Sequence, residues 1–475
     1  MSLRTSAAYV AVRIASGALA MASLALIVRG LGPAGYGQLT LGLAASAVVT
    51  LILFNPLNGM LARFYGELAL RAALVGLLRA MLLGTGVLLV CAAWLAEEAG
   101  WALLSRHVLV AAACMALAQG MFDFSGNYLA AAQQSLRYSL QFLGKALLTL
   151  LLAWGVLRAG GGAAAVLAAM AIAFLVAALA SGGRLWWWGA VLSPDSAALP
   201  SRDMLRLVAG FAGPLMITSL LGYLLLWGDR YLLQQLVPLA DLGRYSAVAD
   251  LAQQTLGLIF SGLCTAWYPR MVLAWGQQDF AEAQRLYGRY AALGLAVILP
   301  AGVGFALLLP EVVPLMYGAA FTQLPSLLLP LVTAAAIVAA VKAYYFDLPL
   351  LLARRVWRHS ASIAGAALAS LLIAWWMVPQ MGTAGAALGL LLGQSLGIGL
   401  SLWAGRGVLC HRLPLVLLWP PLLGAGVMAG LLLAWPAAGW FGVAAKALVG
   451  ATVYVLVMLM ADFDSVRGRL TGRPV

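Results

Sequence analysis

Charge is what this chain has least of. Only 9% of its 475 residues are charged while 64% are hydrophobic, which leaves too little polar surface to coat a soluble globule. Cysteine is scarce too. Cys91, Cys114, Cys264 and Cys410 lie in or beside apolar runs without metal-ligand or redox spacing, so they read as small core residues and imply no disulfide framework. The three histidines, His107, His359 and His411, stand apart at the ends of apolar runs and suggest neither a metal centre nor a catalytic triad. The phosphate-cradling pattern Gly-x-x-x-x-Gly-Lys-Ser/Thr is missing and no hydrophilic stretch could hold an ATPase domain, which excludes a direct ATP drive. The net charge of +13 does not gather into a dense basic patch with stacking aromatics, so nucleic acid is excluded as a partner.

Apolar runs are what the chain has in abundance. Fourteen stretches of roughly 20 residues recur, the length that the ~30 Å hydrocarbon core of a bilayer asks of a spanning helix. They cover 6–28, 38–59, 76–96, 108–131, 138–157, 161–181 and 207–228, then 244–267, 287–309, 326–348, 358–378, 383–404, 414–434 and 438–460. The fold class expected is an all-α polytopic membrane protein with 14 transmembrane helices. The first run carries Arg13 and exceeds the apolar core of a signal peptide, so it reads as an uncleaved helix. With the N-terminus inside, nineteen of the 28 lysines and arginines fall on one side. Five (Arg29, Arg106, Arg158, Arg230, Arg244) fall on the other and four lie within spans. Positive residues gather in cytoplasmic loops, which predicts that both termini are cytoplasmic.

The longest hydrophilic break, 182–206, holds Trp186-Trp187-Trp188 beside arginines and reads as a linker lying on the cytoplasmic membrane surface. It separates a six-helix bundle, 1–181, from a second, 207–404; residues 405–475 add two helices and a basic tail. Both halves open alike. Arg29-Gly-Leu-Gly-Pro-Ala-Gly-Tyr36-Gly-Gln precedes the second run, and Arg230 with Leu-Ala-Asp-Leu-Gly243-Arg-Tyr245-Ser-Ala precedes the eighth, the tyrosines standing 209 apart (245 minus 36). An internal duplication of six helices accounts for this. An even number returns the chain to its starting side, so the repeats are parallel, with a cavity between two bundles suited to alternating access. Gly385, Gly389, Gly393 and Gly397, and Gly426 with Gly430, are small residues spaced by four that let backbones approach, read as packing within the chain.

Three stretches carry a family resemblance: Val28-Arg-Gly-Leu-Gly-Pro-Ala-Gly-Tyr-Gly-Gln-Leu39, then Asn55-Pro-Leu-Asn with Ala62-Arg63-Phe64, then Gly228-Asp229-Arg230-Tyr231 with Leu242-Gly-Arg-Tyr-Ser-Ala. The chain resembles Wzx-type polysaccharide exporters of the multidrug, oligosaccharidyl-lipid and polysaccharide (MOP) exporter superfamily. The two helices beyond twelve look like the fourteen-helix lipid II flippase branch. The resemblance implies translocation of an undecaprenyl-diphosphate-linked oligosaccharide across a bacterial inner membrane for surface polysaccharide biosynthesis. It also implies the polysaccharide polymerase and export machinery as partners, and no enzymatic activity. Pro214 and Pro300 lie well inside apolar runs, where a helix loses a backbone bond and can bend; the resemblance makes the first helix of a half the one that bends, so Pro214 is the candidate hinge, with a static kink as the alternative.

A diphosphate crossing a bilayer needs cationic partners in a wet cleft to offset lost hydration. Arg13 and Lys145 each lie seven positions into a helix and Asp123 eight positions from the inner end of another, so at 1.5 Å per residue all three sit about 10–12 Å deep. An unpaired charge at that depth is costly, so Asp123 is expected to pair with Arg13 or Lys145 until the diphosphate takes over the cation. Arg63, Arg270 and Lys342 extend the candidate diphosphate path, with snorkelling to the interface as the alternative for Arg63 and Lys342. Asp123, Asp250 and Asp347 are the candidates for ion coupling, Asp123 first, with structural ion pairing as the alternative, H+ or Na+ as the coupling ion and no other cofactor expected. Gln119, Asn127, Gln133, Gln253 and Gln254 are available for glycan hydroxyls. Two alternatives stand beside this reading: an ion-coupled multidrug or cation exporter of the same superfamily, and a membrane polysaccharide polymerase.

Overall fold

The computed structural model describes residues 3–64, 68–98, 104–183, 202–409, 419–436 and 439–461, in places by backbone alone. The linker tryptophans Trp186-Trp187-Trp188 and the basic tail Arg467, Arg469 and Arg473 lie outside the described residues. Every regular element among the described residues is a helix, and eleven are long and apolar enough to cross a membrane. Hydrocarbon offers no partner to backbone N–H and C=O groups, so runs this apolar must satisfy each peptide inside its own segment. The chain divides into two compact units, residues 1–231 with 238–243, and residues 232–237 with 244–475.

The first unit begins with α1 (Leu3–Val49), broken at Gly32, whose φ of 68° and ψ of 177° lie outside any helix. Glycine takes that backbone without strain, and Pro33 restarts the helix after it. One element thus supplies two apolar arms. A π turn (Thr50–Phe54) leads into α2 (Asn55–Phe64), followed by α3 (Leu68–Glu98), α4 (Arg106–Ala131), α5 (Ser135–Arg158) and α6 (Ala163–Ser181). Helix α4 packs against α1, α2, α3, α5 and α6. Its buried face is small, with Ala111, Ala112, Ala113, Ala116, Ala118, Gly120 and Gly126, and a side chain at Gly120 would collide with Phe54 and Leu82. The next helix, α7 (Arg202–Leu236), is tied to this unit by Tyr223, whose hydroxyl donates 3.0 Å to the Ala44 carbonyl and lies 3.0 Å from that of Tyr231. Glycine is also required in the two repeated openings: a side chain at Gly37 would strike the Leu239 carbonyl, and one at Gly243 the Pro33 carbonyl. Cys91 and Cys114 are exposed on the unit's surface, contrary to the core placement their setting suggests. Facing lipid, the outer side of a helix is as apolar as the inner one, so apolar context does not assign a side.

The second unit holds most of α8 (Leu239–Gly276), then α9 (Phe280–Tyr317), α10 (Leu328–Val341), a π turn (Lys342–Phe346), the short α11 (Leu348–Leu352), α12 (Val356–Met381), α13 (Thr383–Ala404), α14 (Trp419–Ala434) and α15 (Gly439–Met460). Helices α12 and α13 form a tight hairpin through Gly382 at φ 59°. Gly385, Gly389 and Gly393 face the backbones of Met377, Ala374 and Ser370, where any side chain would collide, so this glycine series packs within the chain. Gly426 and Gly430 do not: open space lies beside both, and the close approach between α14 and α15 is made by Gly424 on Tyr454 and Gly450 on Leu432. The last two helices dock on α9 through Ala425, Met428, Leu432 and Tyr454 against Leu299, Val303 and Leu307. Pro300 has no N–H to give to the carbonyl four residues back. Tyr454 takes its place, donating 2.6 Å to the Ala296 carbonyl, and Lys446 closes on Glu311 at 2.6 Å.

Candidate functional site

In the first unit two of the candidate charges, Lys145 on α5 and Asp123 on α4, lie near enough to influence one another. Lys145 extends from α5 into a cage of three phenylalanines, its amine 4.7 Å from the ring centre of Phe174, 5.6 Å from Phe122 and 5.9 Å from Phe142. Phe122 meets Phe142 and Phe174 edge-on, each at 5.1 Å between ring centres, which fixes the cage. Phe142 precedes Lys145 by three residues, one helical turn on the same face. Ring faces attract an ammonium by about 2 kcal/mol or more once it is desolvated. Asp123, next to Phe122 on α4, and Lys145 attract one another, yet among the described residues no carboxylate closes on the amine as a contact salt bridge. Asn127 donates 2.8 Å to the Asp123 carbonyl. Arg13 and Arg63 stand on the helical backbones of α1 and α2, but their side chains lie outside the described residues, as does that of Pro214 on α7.

In the second unit Lys342 and Asp347, assigned separate roles from sequence, form one buried ion pair. The Lys342 amine lies 2.8 Å from Asp347 Oδ2, and both side chains are almost wholly enclosed. Lys342 therefore does not snorkel. Five residues apart, the two would diverge around an α-helix; the wider π turn that begins at Lys342 brings them onto one side. That turn is fixed from α9, where Tyr287 donates 3.1 Å to the Tyr345 carbonyl and Tyr290 donates 2.8 Å to that of Tyr344. Ser401 donates 2.5 Å to Asp347 Oδ1, and Ser362 stands 2.6 Å from Ser401. His359 Nδ1 lies 3.8 Å from Asp347 Oδ2 and lacks a hydrogen-bond partner. Gly397 on α13 leaves room for the lysine stem, where a side chain would collide with it.

The other candidates stand apart from both clusters. Arg270 is exposed on α8 beside the Trp267 ring at 6.0 Å. Asp250 is half-buried on the same helix and interacts electrostatically with Tyr317, whose hydroxyl donates 3.3 Å to the Ala247 carbonyl. Sequence reasoning missed the phenylalanine cage and the partners His359, Ser362 and Ser401. Phe142 could have been found from its helical spacing to Lys145; the others come from different helices and leave no sequence signal.

Comparison with known proteins follows the same lines. No curated protein sequence matches the chain. Among solved structures it is similar to "Lipid II flippase MurJ, inward closed conformation", with a TM-score of 0.73 at 10% identity over 96% of this chain and 99% of that one. It is also similar to an inward-facing multidrug resistance MATE family transporter of the MOP superfamily, with a TM-score of 0.61 at 16% identity over 82% and 93%. The Vibrio cholerae MATE transporter VcmN matches with a TM-score of 0.54 at 15% identity over 85% and 98%. Identities this low establish the shared fold. The family rests on the sequence itself: residues 2–275 match the family described as "Polysaccharide biosynthesis protein", and the chain belongs to that family.

Proposed function

We propose that this protein is a flippase that carries an undecaprenyl-diphosphate-linked oligosaccharide across the bacterial inner membrane by alternating access, in surface polysaccharide biosynthesis. Fourteen spans with cytoplasmic termini complete the reading, and the chain itself catalyses no covalent step. Lys145 is the observation that carries it. A half-buried cation held by ring faces and a nearby carboxylate, but not closed into a contact ion pair, remains available to an incoming diphosphate at small cost. Lys342, by contrast, is already spent on Asp347, so within the candidate diphosphate path Lys145 ranks first and Lys342 last. Arg13 and Arg63 remain proposed ligands on helices of the same unit, and Arg270 a proposed outlying one.

The second reading, a cation exporter of the same superfamily, is favoured by the aromatic cage and Asp123, since ring faces and a carboxylate suit a cation. Here that cage is filled by the chain's own lysine. Proteoliposomes loaded with a fluorescent undecaprenyl-diphosphate glycan separate the two. Wild-type protein is expected to flip the glycan, and Lys145→Gln to insert normally but flip roughly 10- to 100-fold more slowly, as expected when a charge-assisted phosphate contact is lost. Cation efflux without glycan flipping would overturn the proposal.

A further inference from the structure

The duplication reappears at a turn. Leu129-Ala-Ala-Ala132-Gln133-Gln134-Ser-Leu-Arg137-Tyr-Ser139 between α4 and α5 matches Leu350-Leu-Leu-Ala353-Arg354-Arg355-Val-Trp-Arg358-His-Ser360 between α11 and α12, at an offset of 221 (354 minus 133). The backbones agree. Gln133 and Arg354 are both left-handed, at φ 56° and 53°, a conformation uncommon outside glycine. Gln134 N donates 2.9 Å to the Leu129 carbonyl, and Arg355 N donates 2.9 Å to that of Leu350. Ser139 and Ser360 both bond back to the carbonyl four residues earlier.

The two turns differ in what their arginine meets. In the second unit Arg358 and Arg355 donate to the Ala404 carbonyl at 3.3 and 3.4 Å, capping the end of α13. In the first unit the equivalent helix end, at Ser181 and Gly182 of α6, is separated from Arg137 by a cleft of about 790 Å³. Among the described residues Arg137 bonds only to Gln134, at 3.1 Å, and meets no carboxylate. Gln141 lines the cleft but is only 2% exposed, its amide nitrogen donating 2.8 Å to the Phe122 carbonyl. The cleft also reaches the outer apolar surface of the helix pair, through Leu140 at 51% and Val176 at 43% exposure.

We infer that the cleft between α4, α5 and α6 binds the phosphate headgroup of an anionic membrane phospholipid. Arg137 holds the phosphate, and an acyl chain lies along Leu140 and Val176. A soluble anion would have no use for the apolar wall, and a zwitterionic lipid would bring its own cation to the arginine. The reading needs only that the chain spans a membrane, so it stands or falls apart from the transported substrate.

Delipidated full-length protein offered phosphatidylglycerol or phosphatidylcholine, with bound lipid counted by native mass spectrometry, tests the site. Wild type is expected to hold phosphatidylglycerol roughly tenfold more tightly. Arg137→Ala removes the preference. Gly144→Leu fills the cleft and excludes the lipid, because Gly144 lines it with open space beside its Cα. Equal binding of the two lipids by wild type overturns the inference, as does undiminished preference in Arg137→Ala. Unchanged binding in Gly144→Leu would put the lipid outside the cleft, and release by excess inorganic phosphate would identify a soluble anion; either result overturns it too.

Discussion

A buried charge is judged by what it would cost alone. Lys342 and Asp347 are 2% and 3% exposed, so removing one leaves the other unpaired in a medium that solvates it poorly. Asp347→Asn is therefore expected to destabilise the second unit by about 3–5 kcal/mol, read as a lowered Tm in detergent. The double variant Lys342→Met with Asp347→Asn should recover most of that loss, because replacing both charges removes the orphan. If Asp347→Asn alone leaves the Tm unchanged, the pair is not structural. The sequence displayed both residues but not their union, because a five-residue separation is not a contact spacing on an α-helix. The π turn that unites them depends on Tyr287 and Tyr290, more than fifty residues upstream. Lys145 and Asp123 were more legible: counting residues from helix ends on a fixed rise placed both at one depth, and the structure sets them near enough to influence one another without closing them into a contact ion pair.

At the scale of the element, glycine decides which helices touch, and spacing alone does not say which glycines do so. The α13 series and the Gly426–Gly430 pair look alike in sequence, yet only the former abuts a backbone. Which face of a helix turns inward is set by its partners, and a wholly apolar helix carries no amphipathic stripe to announce it. Gly389→Leu is accordingly expected to force α12 and α13 apart, at about 1–3 kcal/mol or more, while Gly430→Leu leaves the Tm within measurement error. Equal effects would contradict the packing. The docking of α15 on α9 adds a second contrast. Tyr454→Phe keeps the ring but strands the Ala296 carbonyl that Pro300 cannot serve, for an expected loss of about 1–3 kcal/mol. The sequence marked Pro300 as a bend; that a helix 158 residues later fills the gap was not readable from it.

For the molecule as a whole, the all-helical, multi-span character was legible in composition, since bilayer thickness sets helix length independently of partners, and eleven of the described helices are long and apolar enough to cross a membrane. The break at Gly32 was visible as a gap between two runs. Duplication was visible at one place, the paired tyrosines, and missed at the α4–α5 and α11–α12 turns, where the shared feature is a backbone angle more than a residue. The two units hold chemically similar pairs in different states: the second closes its lysine onto aspartate, the first leaves lysine and aspartate apart within an aromatic cage. An ion can drive alternating access only if it binds one conformation better than the other. Under the proposed function Asp123 would suit this role: if its counter-cation is claimed by a diphosphate, carboxylate charge and diphosphate occupancy are linked, and linkage is reciprocal. Asp123→Asn removes the charge while keeping the shape. The variant is expected to flip glycan down its own gradient while losing the response to an imposed proton or sodium gradient that the wild type shows in the same proteoliposomes. Wild-type flipping indifferent to both gradients would remove Asp123 from the coupling, and with it the physical reason for leaving that pair open.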